Sequence, residues 1–177
     1  MLRFSGGDAA AFDALYARHR GGVFRYLLRQ CPNRATAEEL FQDIWMNLVH
    51  TRSRYRVQAK FTTYLYTLAH NRLIDHFRRH KGLQIVSLDQ EDDDPVELQA
   101  SATVQPERIA QSREQASRLL ELVAALPDAQ REAFLLHEEG GLSLEEIVQV
   151  TGSNREAVKS RLRYALAKLR DGMKDYL

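Results

Sequence analysis

The chain has 177 residues, 44% of them hydrophobic and 28% charged, and a formal net charge of +1, a balance that suits one medium or two small water-soluble domains. No apolar run reaches the roughly 20 residues a membrane helix needs, and the opening MLRFSGGD has neither the apolar stretch nor the cleavage site of a secretion signal. The lone cysteine, Cys31, excludes an internal disulfide, fits a reducing compartment and reads as a small buried hydrophobe.

The net charge hides an asymmetry. Residues 1–81 carry 14 Lys/Arg against 6 Asp/Glu, whereas residues 82–177 carry 11 against 18. A basic half of this size predicts a polyanionic partner; the alternative is ordinary surface solvation.

Four prolines and almost no alternating pattern predict an all-α fold. A first helix is expected over 8–30, with Asp8 as N-cap and Phe12, Leu15, Tyr16, Val23 and Leu27 at helical spacing. Gly21-Gly22 should bend or weaken it, and Pro32-Asn33 should end it. The second helix, 35–51, has the cleanest pattern: Ala37, Leu40, Phe41, Ile44, Trp45 and Leu48 recur at i, i+3, i+4, i+7, i+8 and i+11. Next comes a basic segment, Arg52-Ser-Arg54-Tyr55-Arg56, then Lys60-Phe61 and a third helix reaching His80. On that helix Asn71, Arg72, Asp75, Arg78 and Arg79 share an arc of about 120°. Aromatics beside cations suit stacking on unpaired bases, although Phe61, Leu65 and Tyr66 taken alone read as core.

From about Gly82 to Pro106 periodicity disappears, and SLDQEDDDPVELQASATVQP reads as a flexible acidic linker. Helices near 107–125 and 128–139 follow. The organisation is therefore two small helical domains, 1–82 and 113–177, joined by a linker over 83–112.

Residues 142–170, LSLEEIVQVTGSNREAVKSRLRYALAKLR, have the pattern of a helix-turn-helix. Capping boxes are expected at Ser143/Glu146 and Ser153/Glu156, with Gly152 at the turn. Val158, Leu162, Ala165, Leu166 and Leu169 form one arc, predicted to pack on Leu144, Ile147 and Val148. Residues 154–170 hold six basic residues and one acid, as a helix entering the major groove requires. A helical hairpin whose charged face merely meets water is the plainer alternative. The motif alone does not choose between a repressor, a response-regulator output domain and a sigma factor.

Four stretches in order and spacing, GDAAAFDALYARHRGGVFRYLL, AEELFQDIWMNL, RYRVQAKFTTYLYTLAHNRLIDHFRR and GLSLEEIVQVTGSNREAVKSRLRYALAKLR, resemble the extracytoplasmic-function sigma factors of the sigma-70 family. The resemblance implies that Glu38, Glu39, Gln42 and Asp43 dock on the clamp helices of core RNA polymerase, with Trp45 anchoring that helix inward. It implies that Arg54, Lys60, Phe61, Tyr64, Asn71, Arg72, Arg78 and Arg79 bind the melted −10 region. Asn154, Arg155, Lys159, Ser160, Arg161 and Arg163 would read the −35 element. Further implied are contact with the polymerase flap, a linker lying in the RNA-exit region, and a cytoplasmic location without membrane insertion. An anti-sigma partner able to hold the protein at the membrane is implied as well. Many members carry Trp at the position of Tyr64.

No cofactor or metal is expected: His76 and His80 sit at i, i+4 with no third ligand nearby. No catalytic motif is found, so an enzyme is not expected. The competing functional reading is a DNA-binding regulator that acts without core polymerase.

Overall fold

A computed structural model describes residues 1–80 and 106–176, and among these all regular structure is helical. The N-terminal half holds α1 (Leu2–Ser5), α2 (Ala9–Leu28), α3 (Arg34–His50), a 3-10 turn (Arg52–Arg54) and α4 (Phe61–His80). Local sequence sets the boundaries. Asp8 caps α2 by accepting from the Ala11 N–H, and Asn33 caps α3 by accepting from the Thr36 N–H. The apolar stripe of α3 turns Ala37, Leu40, Ile44, Trp45 and Leu48 into the core against Val23, Tyr26 and Leu27 of α2.

α2 continues without a break through Gly21-Gly22. A Cβ at Gly22 would lie 2.6 Å from the Glu139 carbonyl oxygen and 2.9 Å from the Tyr66 hydroxyl. Gly22 therefore allows a close backbone approach that a side chain would block.

The C-terminal half holds α5 (Pro106–Ala124), α6 (Asp128–Glu138), α7 (Leu144–Thr151) and α8 (Arg155–Gly172). The expected linker, 83–112, lies outside the described residues up to position 105, and from Pro106 the chain is helical. Its core is aliphatic, with Leu135, Leu136, Leu142, Ile147, Val150, Val158, Ala165 and Leu169 buried. Leu166, expected in that stripe, is 42% exposed. At 100° per residue it stands about 80° from Val158, on the rim of the buried arc.

The two halves touch. Buried side chains from both form one continuous cluster, with α4 packed along α7 and Glu132 of α6 hydrogen-bonded to Tyr26 of α2 and His70 of α4.

Candidate nucleic-acid and polymerase interfaces

The turn between α7 and α8 is built as the sequence predicts at its first helix and differently at its second. Ser143 accepts from the Glu146 N–H while Glu146 accepts from the Ser143 N–H, a complete capping box. Gly152 closes α7 in the left-handed conformation, φ 64°. The second cap is Asn154, not Ser153: its side chain accepts from the Ala157 N–H at 2.8 Å. Ser153 Oγ instead accepts from Arg161 Nη1 at 2.8 Å. Asparagine is as good a cap as serine, so the chain offers two adjacent candidates and the turn geometry picks the later one.

On α8, Lys159 and Arg163 stand exposed one turn apart, and the Arg163 guanidinium lies over the Tyr164 ring. Arg155 is exposed but paired with Glu145 at 3.2 Å, an arrangement that also holds the Glu145 carboxyl below its ordinary pKa, after the larger effect of its own backbone N–H. Ser160 and Arg161 are half-buried. The outward cationic face of α8 is thus centred on Lys159 and Arg163.

On α4, Asn71, Arg78 and Arg79 are exposed, whereas Arg72 turns back to donate to Asp43 Oδ2 from Nε at 2.9 Å. This pair joins a residue expected at DNA to one expected at polymerase. Asp43 is accordingly half-buried while Glu38, Glu39 and Gln42 are exposed. Phe61 and Tyr64 are half-buried and braced by other rings: Phe61 by His19 at 5.3 Å, Tyr64 by Tyr55 at 5.1 Å. Leu65 and Tyr66 are core. Arg54 and Lys60 are exposed, with Lys60 Nζ 3.2 Å from Glu146. His76 and His80 stack with ring centroids 4.0 Å apart, and burial, followed by the neighbouring His80, lowers the His76 pKa. Among the described residues no three His, Cys, Asp or Glu side chains gather as metal ligands.

Two groups of residues escaped the sequence reading. Tyr16, Arg20 and Phe24 of α2 line a hollow of about 440 Å³ together with Glu38, Phe41 and Gln42 of α3, which extends the acidic helix into a two-helix face. Their i, i+4, i+8 spacing was the available signal. The second group is Glu132, Glu139 and Glu146, seven residues apart, each of which has a partner in the other half of the chain.

Residues 15–82 match the Sigma-70 region 2 model and residues 116–169 the Sigma-70, region 4 model. The RNA polymerase sigma factor CarQ of Myxococcus xanthus is 30% identical over 97% of this chain and 94% of its own length. The chain belongs to the extracytoplasmic-function sigma factors of the sigma-70 family. The sigma factor SigK of Mycobacterium tuberculosis is 29% identical over 97% of this chain and 90% of its own. The fold of this sigma factor also resembles RpoE of Bartonella quintana, solved in complex with the anti-sigma factor NepR (TM-score 0.73, 18% identity, 93% of this chain and 97% of that one). The function is that of an RNA polymerase sigma factor, and a regulator acting without core polymerase is not favoured. No helix among the described residues is long and apolar enough to cross a membrane.

Proposed function

We propose that this sigma factor divides promoter recognition between its halves, 1–82 and 113–177, with 83–112 as the connecting segment. The observation that carries the proposal is a pair of exposed polar helix faces, one per half: Asn71, Arg78 and Arg79 on α4, and Lys159 and Arg163 on α8. Asn71 of the first stands two turns along α4 from Tyr64, whose ring neighbours Phe61, which suits unstacked bases at the −10 region. The second lies on the later helix of a helix-turn-helix, which suits the major groove at −35. Arg54 and Lys60 add phosphate contacts to the first face; Asn154, Arg155 and Ser160 flank the second.

Arg72 and Arg161 act by holding neighbouring groups, Asp43 and Ser153, in place. Glu38, Glu39 and Gln42, with the hollow beside them, meet the clamp helices of core polymerase. Nucleotidyl transfer stays with the core enzyme. Because RpoE was solved with an anti-sigma factor, a partner of that class is proposed here too, holding a cytoplasmic pool in check.

Footprinting with core polymerase separates the two faces. Asn71→Ala should reduce permanganate reactivity of the opened strand and leave upstream nuclease protection intact. Lys159→Ala with Arg163→Ala should do the reverse, at about 1–3 kcal/mol per lost base contact. Equal loss of both signals by both variants, with normal core affinity, contradicts the division.

A further inference from the structure

Three arginines stand in the first three turns of α8, and the fold engages each differently. Arg155 pairs with Glu145 at 3.2 Å, and Arg161 donates from Nη1 to Ser153 Oγ at 2.8 Å. Arg163 has neither kind of partner among the described residues. Its guanidinium carbon lies instead 4.9 Å from the centroid of the Tyr164 ring. The other cation–π contacts among the described residues are in the N-terminal half and longer, at 5.7 to 5.9 Å.

Tyr164 is the aromatic residue of α8 and is 51% exposed, so it is no part of the core. Val158, Ala165 and Leu169 are buried, with Leu162 packed against them. At about 100° per residue Tyr164 stands about 120° from Val158. Leu166, the other large apolar residue exposed on this helix, is about 160° from Tyr164 around the axis. The two therefore form no common apolar patch, and docking of a protein does not account for the tyrosine.

Its contact with Arg163 does. A ring attracts a cation through its quadrupole and offers no oxygen acceptor, so the five N–H donors of the guanidinium remain for a ligand. A carboxylate, such as Glu145 beside Arg155, orders an arginine only by engaging some of those donors. Ordering ahead of binding matters because a long side chain otherwise loses its rotamer freedom when the ligand arrives. A planar fork held in place fits a pair of acceptors in one plane, and the major groove presents that pair as O6 and N7 of guanine.

We propose that Tyr164 is a positioning residue for promoter specificity: its ring holds the Arg163 guanidinium for bidentate contact with one guanine of the −35 element. The inference rests on the −35 reading of α8 above and adds to it the base that is read and the residue that sets the reading.

The test uses the full chain with core polymerase on a promoter fragment recovered by transcription from a genomic library. Duplexes carry 7-deazaguanine, which lacks the N7 acceptor and keeps O6, singly at each guanine of the upstream element, and upstream nuclease protection is titrated. The wild type should lose about tenfold in affinity at one guanine. Tyr164→Phe keeps the ring and should show the same loss. Arg163→Ala, Arg163→Lys and Tyr164→Ala should each bind ordinary duplex more weakly, and at that guanine the analogue should cost them under about twofold more. Helicity by circular dichroism should be unchanged in Tyr164→Ala, since alanine is the better helix former at an exposed position. A wild type indifferent to the analogue at every guanine, or full sensitivity retained in Tyr164→Ala, overturns the inference. Tyr164→Phe behaving as Tyr164→Ala overturns it as well, because the hydroxyl and not the ring would then carry the effect. Upstream protection weakened by Lys159→Ala with Arg163→Ala, beside an indifferent wild type, strikes the inference alone. Protection untouched by that double variant strikes the −35 reading and the inference with it.

Discussion

The two halves of this sigma factor reach a helical core by different chemistry. The N-terminal bundle adds rings to an aliphatic core: every aromatic pair among the described residues falls between Phe4 and His80, with Phe12, Tyr16 and Phe41 packed around Trp45. The C-terminal bundle buries Leu, Ile, Val and Ala and relies on local devices at its helix ends, the Ser143/Glu146 box, Gly152 and Asn154. Both halves bury Leu, Val, Ile and Ala, and the N-terminal half adds buried aromatic rings to them. Charge divides the same way. The basic excess of the first half and the acidic excess of the second, read from sequence as a sign of a nucleic-acid partner, are partly spent on each other across Arg25, Arg29, Lys60 and their glutamates.

The comparison breaks most visibly at Trp45. Its indole is 5% exposed and its N–H meets no acceptor among the described residues, so its contribution is packing. Trp45→Ala should cost about 3–5 kcal/mol, read from urea unfolding of the full chain by circular dichroism. A loss under about 1 kcal/mol would mean that the aromatic cluster does not hold the bundle together.

A smaller effect sharpens the other side. Asn154→Ala should cost about 1 kcal/mol as a lost cap, whereas Ser153→Ala should cost less, since it removes only the acceptor of Arg161. The reverse order in the same unfolding experiment would restore Ser153 as the cap.

The smallest expected effect is on pH. Glu146 is held below the ordinary glutamate range, chiefly by the Ser143 N–H and then by Lys60 and Thr63. A carboxyl with a depressed folded-state pKa stabilises the fold above its unfolded pKa and loses that contribution as pH falls through the lower value. Stability should therefore decline on acidification below the ordinary pKa of 4.5, and Glu146→Gln should flatten that decline. An unchanged acid limb in the variant would show the glutamate to be an idle surface charge.

These differences explain what was legible in the sequence. The helices α2, α3, α7 and α8 follow from periodicity and caps because each bears a one-sided apolar stripe that a local capping residue starts. The family motifs named the segments at which DNA and polymerase were to be sought. Pairings that depend on distant packing were not legible. Nothing local distinguishes Arg72, folded onto Asp43, from Arg78 and Arg79, which face outward. Gly22 reads as a helix weakness until the Glu139 carbonyl, 117 residues away, is seen against it. Leu166 sits at the edge of an arc whose width only the packed partner defines.

The measurement that bears most directly on the central claim is transcription from a genomic fragment library by core polymerase with and without this protein. Discrete start sites that appear only when it is added, and that weaken with Asn71→Ala or with Lys159→Ala and Arg163→Ala together, are the predicted result. No protein-dependent start sites, together with tight sequence-specific binding of duplex by the free protein at physiological salt, would contradict the account.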